Sequence, residues 1–373
     1  MHFSFSDEQE QFRAVVRRFL DDHSPPTAVR ACMACASGYD EAVWSRLADD
    51  LGLPGLHLAE AHGGQGFGQA ELGIVMEEMG RTLLCAPFFG SAVLAAGMLR
   101  RGADEAEQSE LLPALVSGAR LAALAWVEAA GRWDASGITL AAARDGDGFR
   151  LDGTKRFVVD GLVADDLLVL ARIGDVLALF LVAGDAPGVS RRALEVLDPT
   201  RRLAEVTFTA APARRLGAGV DIAAAFARLF DEALVALAAE MIGGARRLHA
   251  DAVEYAKLRM QFGRPIGSFQ AIKHTLADRL LDIELAAAAV NHAAAALDEH
   301  EPGARAGAAQ AKAMAADAYM AMAAAAIQVH GGIGFTWDHD THLWYKRAKS
   351  SEVLLGTPAW HRERYLDAVE ATA

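Results

Sequence analysis

The feature of this sequence that most constrains its fold is a change of hydrophobic pattern along the chain. Residues 1–118 and 221–373 carry apolar side chains at helical spacing, and the second stretch also contains alanine runs. Residues 119–220 carry short apolar or β-branched segments separated by turn signals. We therefore predict an α+β multidomain protein, with an N-terminal helical domain (1–118), a middle antiparallel β-sandwich or barrel domain (119–220) and a C-terminal helical bundle (221–373).

Local signals place individual elements inside these zones. Ser6 and Gln9 have capping-box spacing in front of an apolar helical series. Further helices are predicted at 41–51 and 69–80, and Gly243-Gly244 would let another backbone approach a C-terminal helix. The predicted strands are 137–143, 148–151, 157–159, 167–171, 176–182 and 204–208.

Charge and composition exclude several classes of protein. The 373 residues include 36 Lys plus Arg and 49 Asp plus Glu, a net charge of −13, so nucleic acid is not expected as the main partner. Three cysteines cannot build a disulfide framework, and the sequence start has no signal-peptide pattern, so we expect a cytoplasmic protein. Arg172 and Asp175 interrupt the most apolar stretch, which argues against a membrane span.

Three short patterns have ordinary structural interpretations. The 62–68 loop has several glycines, but no strand–helix unit surrounds it, so we interpret it as a tight connection rather than a nucleotide fingerprint. Cys32-x-x-Cys35 lacks a second pair and is interpreted as part of a helix or turn. The histidines and aspartates of 338–342 are interpreted as a solvated helix start, and no metal site is predicted.

Two longer stretches carry more chemical information. In Arg259–Gln270, a long helix delivers Arg259 to a glycine- and proline-containing turn, where exposed N–H groups and a guanidinium favour an anion. In Gln328–Phe335, a helix ends in three glycines, so a ligand could approach the backbone closely. The alternatives are a helix hairpin whose arginine caps carbonyls, and a common glycine C-cap.

These stretches together make the chain resemble the acyl-CoA dehydrogenase family along nearly its whole length. The matching features are the order of helical, β and helical zones, the Gly63-Gly64-x-Gly66 loop, the Arg-x-Gln-Phe-Gly-x-Pro-Ile-x-x-Phe-Gln block at 259–270, the Gln-x-x-Gly-Gly-x-Gly-Phe block at 328–335 and Gly356-Thr357. Residues 154–161 and 334–340 are similar to bacterial subfamilies used in steroid catabolism, some of which have paired subunits.

The resemblance implies a FAD-dependent α,β-desaturation of an acyl-CoA thioester. In the family a glutamate removes the α-proton, the β-hydrogen leaves as hydride to the flavin, and an electron-transfer acceptor reoxidises the cofactor. Each subunit holds one FAD by its β domain and reaches its neighbour's FAD with its C-terminal helices. The implied cofactor-binding residues are Arg259, Gln261, Phe262, Phe269, Gln270, Gln328, Gly331, Gly332 and Thr357 and, around the chain's own flavin, Trp126, Val127, Phe157 and Val159.

The resemblance also exposes departures from the family pattern. The family's Thr-Glu-x-x-x-Gly-Ser segment begins here with Val127 and ends in Arg132-Trp133, and its Trp-Ile-Thr becomes Phe157-Val158-Val159. The two positions at which family members carry the catalytic glutamate hold Leu355 and Ala233, neither of which accepts a proton. Glu232 and Glu240 are the weak candidates for a displaced base, and the catalytic residue stays unassigned.

The pattern supports the hypothesis that this chain is the base-lacking subunit of a heteromeric acyl-CoA dehydrogenase. Its partner would be a second acyl-CoA dehydrogenase-like subunit. One alternative is a self-sufficient homodimeric or homotetrameric dehydrogenase or oxidase with a displaced base. Another is a non-catalytic scaffold subunit that binds CoA ligand or partner without redox chemistry.

Overall fold

The computed structural model describes residues 5–371 of the chain. They form two compact units, each built from several stretches of sequence. Unit 1 consists of Met1–Ala31, Gly68–Leu84 and Leu234–Ala373, and unit 2 of Cys32–Phe67 and Cys85–Ala233. The division into three sequence domains remains a prediction.

The helices in the described residues follow the predicted order. They are α1 (Asp7–His23), α2 (Pro26–Ala34), α3 (Glu41–Asp49), α4 (Gln69–Thr82), α5 (Ala96–Gly102), α6 (Glu105–Val116), α7 (Ile222–Leu258), α8 (Gln270–Asp298), α9 (Ala304–His330), α10 (Thr341–Val353) and α11 (Pro358–Glu370). Short 3-10 turns occupy Leu53–Gly55, Glu60–His62, Ala135–Gly137, Ile266–Ser268 and Gly331–Phe335, and a π-helical stretch covers Phe88–Ala95.

The strands lie almost entirely in unit 2. They are β1 (Ala122–Ala125), β2 (Ala142–Asp145), β3 (Gly148–Val159), β4 (Asp166–Ile173), β5 (Val176–Ala183), β6 (Val189–Ala193) and β7 (Leu203–Leu216), followed in unit 1 by the short pair β8 (Met260–Gln261) and β9 (Arg264–Pro265). The predicted fold class, with helices before and after a central β region in the sequence, is confirmed.

Capping explains where α1 begins. The Ser6 hydroxyl accepts a hydrogen bond from the Gln9 amide at 3.2 Å, and the Gln9 side chain accepts one from the Ser6 amide at 2.9 Å. Each bond satisfies an N–H group that the first helical turn leaves without an intrahelical partner. The predicted capping box is therefore confirmed, as are the predicted helices that correspond to α3 and α4.

The sheet of unit 2 is mixed rather than purely antiparallel. Its strand order is β1-β4-β5-β7-β3-β2, with β6 also pairing with β7. The β1–β4 pair is parallel and the other pairs are antiparallel. The parallel pair was missed because β1 reads Ala-Ala-Leu-Ala, a composition with weak strand propensity.

Two details of the strand prediction are wrong. Most of the predicted strand 137–143 is irregular, because the chain makes a 3-10 turn at Ala135–Gly137 and β2 starts only at Ala142. The predicted strands 148–151 and 157–159 are one strand, β3, whose register shifts twice against β7. Such bulges insert residues without ending a strand, and the Asp152-Gly153 turn signal concealed the continuity.

Glycines hold α4 and α7 together within unit 1. A Cβ on Gly243 of α7 would lie 1.8 Å from the Glu77 carbonyl oxygen of α4, and a Cβ on Gly80 of α4 would lie 2.0 Å from the Glu240 carbonyl oxygen of α7. A Cβ on Gly244 would lie 2.4 Å from the Tyr319 hydroxyl oxygen on α9. The predicted close approach at Gly243-Gly244 is confirmed.

Helix α8 is long and apolar enough to cross a membrane by length and composition alone, and 39% of its most apolar window is buried. One such helix is weak evidence for a membrane span, because core helices of other proteins meet the same criterion. Its apolar residues Ile283, Ala286 and Val290 are buried within the chain. The absence of a membrane span remains a prediction.

We expect Gly243→Ala to lower the free energy of unfolding by about 1–3 kcal/mol or more, because the added methyl group overlaps a backbone carbonyl. Gly73→Ala in α4 is the matched control, since its Cβ would lie 3.9 Å from the Ala239 Cβ, at ordinary contact distance. That control should be neutral or stabilising by about 0.5–1 kcal/mol through helix propensity. Urea unfolding measures both; equal effects would contradict the packing account.

Candidate functional site

A β-hairpin follows α7 and displays the Arg-x-Gln-Phe-Gly motif. The Arg259 amide donates to the Tyr255 carbonyl at 2.9 Å, so Arg259 lies immediately after the last turn of α7 and is still hydrogen-bonded to it. Met260–Gln261 then pairs antiparallel with Arg264–Pro265. Phe262 and Gly263 both have positive φ, 52° and 74°, which matches the two central residues of a tight type I′ hairpin turn. The predicted turn between two helices is confirmed.

The hairpin presents cationic, amide and aromatic groups to the outside. Phe262 is 91% exposed, and Arg259, Gln261 and Gln270 are also exposed. The Arg264 guanidinium lies 4.1 Å from the centre of the Phe269 ring, which in turn lies edge-on to Phe262 at 6.1 Å. No carboxylate in residues 5–371 pairs with Arg259. This surface can therefore bind an anionic, partly aromatic ligand.

The glycine motif follows the end of α9. The Gly331 amide caps the helix by donating to the Gln328 and Ile327 carbonyls, and φ at Gly331 is 67°, a conformation that favours glycine. Gly332 has no such backbone requirement, and a Cβ there would meet no heavy atom of the described chain within 4 Å beyond its chain neighbours. Packing within this chain thus does not explain glycine at 332, whereas close approach of an outside group would.

Contacts between aromatic rings bring the two motifs together. The His330 ring, just before Gly331, packs 4.4 Å from the Tyr255 ring, one turn before Arg259, and 4.7 Å from the His339 ring. His330 Nδ1 contacts the Ala326 carbonyl at 2.8 Å, and burial lowers the pKa of His330. A neutral imidazole thus joins the end of α9 to the end of α7.

The two expected base positions carry no proton acceptor in the structure. Leu355 is fully buried and has φ of 59°, and Ala233 is fully buried on α7. Thr357, after Leu355 and Gly356, is exposed and caps α11 by accepting a hydrogen bond from the Trp360 amide at 3.3 Å.

Glu232 is held as an ion by two arginines of α5. Its carboxylate accepts from Arg100 Nη2 at 2.8 Å and from Arg101 Nε at 3.1 Å, and it pairs with Arg101 Nη2 as well. Burial raises the pKa of Glu232, but the Arg101 hydrogen bond and the two positive charges outweigh it, so the net pKa lies below the ordinary value. A carboxylate stabilised in this way is a poor general base.

Glu240, the other weak candidate, faces a similar constraint in unit 1. Its carboxylate lies 3.1 Å from Arg347 Nη1 of α10, and both side chains are buried. Paired burial of this kind keeps a charge in place for structure rather than leaving it available to a substrate. The ion pairs at Glu232 and Glu240 argue against a displaced base in either position.

The residues expected around the chain's own flavin lie mainly inside unit 2. Trp126 is 2% exposed, and Val127 and Val159 are each 1% exposed. The Trp126 indole donates to the Trp133 carbonyl at 2.9 Å, and its ring packs 5.8 Å from Trp133. Trp133 also lies 6.1 Å from Phe157, which has φ of 53°. The tryptophan that replaces the family's serine is thus part of an aromatic cluster.

A buried ion pair beside this cluster was missed by sequence reasoning. Lys155 of β3 is fully buried, and its Nζ donates to Glu128 Oε1 at 2.7 Å and to the Trp126 carbonyl at 3.3 Å. Burial lowers the pKa of Lys155 to about 8, although Glu128 opposes the shift. The Arg156 amide donates to the Val127 carbonyl at 2.8 Å. These contacts fix the segment after β1 against β3.

The remaining sequence patterns take structural roles. A Cβ on Gly64 would lie 2.2 Å from the Leu58 carbonyl oxygen, so the 62–68 loop is the tight connection that was predicted. Cys32 lies in α2, and the Cys35 thiol donates back to its carbonyl at 3.2 Å. Asp340 pairs with Arg30 at 2.8 Å before α10 begins. The predicted solvated helix start is wrong in part, because His342 is buried in the first turn of α10. No cluster with metal-binding composition occurs between residues 5 and 371.

We expect Glu232→Gln to lower the free energy of unfolding at pH 7 by about 3–5 kcal/mol, because it leaves two guanidinium groups facing a neutral amide. Since the folded-state pKa of Glu232 is lowered, the wild-type advantage is present above the ordinary pKa and is lost as pH falls through the folded value. The free energies of unfolding of wild type and Glu232→Gln, measured by urea unfolding at pH 7 and below pH 4, give this dependence.

Asp50→Asn is the control for Glu232→Gln. It breaks the exposed Arg46–Asp50 pair and should cost less than about 1 kcal/mol. If Glu232→Gln kept full stability at pH 7 but abolished acyl-CoA turnover, Glu232 would be the displaced base and the ion-pair account would be wrong.

Comparisons with known proteins agree with this geometry. The family models "Acyl-CoA dehydrogenase, N-terminal domain" and "Acyl-CoA dehydrogenase, C-terminal domain" match residues 6–119 and 217–369. Acyl-CoA dehydrogenase IpdE2 of Mycobacterium tuberculosis is 35% identical over 352 residues, which cover 94% of each chain.

Two solved structures are similar to this chain over nearly its whole length. A variant of the Tcur3481-Tcur3483 steroid ACAD is 34% identical with a TM-score of 0.89 over 98% of each chain. One chain of the ChsE4-ChsE5 complex from Mycobacterium tuberculosis is 31% identical to this chain, with a TM-score of 0.90 over 99% of each chain. The chain therefore belongs to the acyl-CoA dehydrogenase family, whose members are FAD-dependent oxidoreductases.

Proposed function

We propose that this chain is the base-lacking subunit of a heteromeric, FAD-dependent acyl-CoA dehydrogenase. It completes the FAD site of a second family member, which supplies the catalytic glutamate. The substrate is an acyl-CoA thioester, and the relatives described as a steroid ACAD and as a two-protein complex support a bulky acyl group from steroid breakdown and a paired assembly.

One observation carries the proposal: the two sets of expected cofactor residues differ in exposure. Most of those that would reach a partner's FAD are exposed in unit 1, including Arg259, Gln261, Phe262 and Gln328. Of the four that would hold the chain's own FAD, Trp126, Val127 and Val159 are buried in unit 2 and Phe157 is half-buried. A side chain already enclosed by its own chain offers no surface to a cofactor.

The exposed set fits a dinucleotide. Arg259 offers fixed N–H donors to a phosphate, and Gln261 and Gln270 offer neutral donors and acceptors. Gly331 and Gly332 let the backbone come close to the cofactor, and Thr357 adds a hydroxyl at the start of α11. When bound, FAD would accept the hydride lost from the β-carbon of the thioester.

The chain's own flavin half-site does not fit the cofactor. Val127 and Val159 lack the hydroxyl groups that the family places there, and Trp133 replaces a serine with an indole that packs against Trp126 and Phe157. No chemical step is therefore expected at this half-site.

Proton abstraction then falls to the partner. Leu355 and Ala233 occupy the family's two base positions, and Glu232 and Glu240 are committed to arginines. A self-sufficient dehydrogenase or oxidase would require one of these carboxylates to leave its ion pair. The contribution of this chain is to bind and orient the cofactor and to complete the assembly.

Co-expression tests the proposal directly. With a second family member that has glutamate before its Gly-Thr pair, we expect a complex with one FAD per two chains that desaturates an acyl-CoA. Arg259→Ala in this chain should weaken FAD binding about 10–100-fold, as removal of a charge-assisted bond to phosphate costs roughly 1.5–3 kcal/mol. Flavin fluorescence on titration of the apo-complex measures the affinity.

Lys257→Ala is the matched control for Arg259→Ala. It removes a neighbouring exposed cation that pairs only locally, with Glu254 at 2.6 Å. Flavin affinity should stay within about twofold of wild type, because an exposed pair contributes little. Equal losses in the two variants, or a complex with one FAD bound by each chain, would contradict the proposal.

A further inference from the structure

The turn between α10 and α11 has a backbone conformation that its own sequence does not favour. Leu355 has φ of 59° and Gly356 has φ of 108°. A leucine in the left-handed region is unfavourable, because its Cβ crowds the backbone. Leu355 is also fully buried, so contacts from other elements must hold this conformation.

Lys312 of α9 supplies the first of these contacts. Its side chain is fully buried, and Nζ donates to the Glu352 carbonyl at 2.6 Å and to the Gly356 carbonyl at 2.5 Å. The Glu352 carbonyl belongs to the last turn of α10, where carbonyl groups lack intrahelical partners and a positive charge is favourable. One amino group thus links the end of α10 to the turn.

His361 of α11 supplies the second contact. Its Nε2 lies 3.0 Å from the Leu355 carbonyl. Burial lowers the pKa of His361 to about 3, with further lowering by the charges of Lys312 and Arg364. The ring is therefore neutral, and Nε2 carries the proton that it donates to Leu355. A Cβ on Gly356 would lie 2.3 Å from the Trp360 ring, so this face of the turn is filled.

Thr357 is the exposed residue at the end of this turn. Its Oγ1 accepts from the Trp360 amide, so its hydroxyl proton remains available to a group outside the chain. The direction of that hydroxyl depends on the conformation of Leu355 and Gly356. It therefore depends on the groups that bind their carbonyls.

We propose that Lys312 is a positioning residue, whose buried amino group fixes the Leu355–Thr357 turn and so orients Thr357 toward the cofactor. The cofactor part rests on the proposed function. We call the two hydrogen bonds from Lys312 Nζ to the Glu352 and Gly356 carbonyls the clamp; both lie within unit 1. Burial lowers the pKa of Lys312 to about 7, although the negative charges of Glu352 and Asp317 oppose the shift. Its amino group stays a hydrogen-bond donor to both carbonyls in either protonation state.

The test compares Lys312→Met with Lys349→Met in the complex. Lys312→Met removes the amino group and with it both hydrogen bonds to the turn. Lys349→Met removes an exposed lysine of α10 that pairs with the Glu352 side chain at 2.5 Å. We expect Lys312→Met to increase amide hydrogen exchange in 354–361 about tenfold or more, with β4 and β5 unchanged. It should also weaken FAD binding about tenfold, and Lys349→Met should do neither.

The two readouts separate the clamp from the proposed function. Unchanged exchange in 354–361 would overturn the clamp. Faster exchange with unchanged FAD affinity in a flavin-loaded complex would overturn the positioning role, and the proposed function would stand. A wild-type complex without FAD would overturn the proposed function, and exchange would still test the clamp.

A second variant keeps the proposal testable if Lys312→Met does not fold. Lys312→Gln keeps two N–H donors without the charge, and we expect exchange and FAD affinity between those of wild type and Lys312→Met. Thr357→Val should reproduce the loss of FAD affinity in the complex without faster exchange at 354–356. A Thr357→Val complex with wild-type affinity would overturn the positioning role.

Discussion

The burial of Trp126 against Trp133 and its neighbours is the interaction that organises the segment after β1. The Trp126 indole N–H, a group that is costly to bury unpaired, is satisfied by the Trp133 carbonyl. The ring of Phe226 on α7 also lies edge-on to the same indole, with 5.8 Å between the ring centres. A cofactor at these residues would have to displace well-packed aromatic contacts, whereas at the α7–α8 hairpin it would cover groups that are already exposed.

Local sequence signals were sufficient for much of the fold. Ser6 and Gln9 predicted the start of α1, because capping depends on residues three apart. The Arg259–Gln270 and Gln328–Phe335 motifs predicted a turn and a helix end, since glycine and proline restrict the backbone at those points. The structure adds that the rings of Tyr255 and His330 pack against each other, which brings these two motifs together.

Features that depend on distant contacts could not be predicted in the same way. Strand β1 is alanine-rich and forms because β4 offers it a partner. Glu232 was only a weak candidate for a displaced base, and the arginines that bind it, Arg100 and Arg101, lie 132 and 131 residues away in sequence. The sequence around Lys155 and Lys312 did not indicate that these lysines are buried. The groups that accept hydrogen bonds from their amino groups belong to other parts of the chain.

The flavin content of this chain expressed alone tests the central claim most directly. Visible absorbance across a size-exclusion peak, with mass from light scattering, gives FAD per chain together with the oligomeric state. We predict little or no FAD in the isolated chain, because Trp126, Trp133 and their neighbours pack together where its own half-site is proposed to lie. A homodimer or homotetramer with close to one FAD per chain would contradict it.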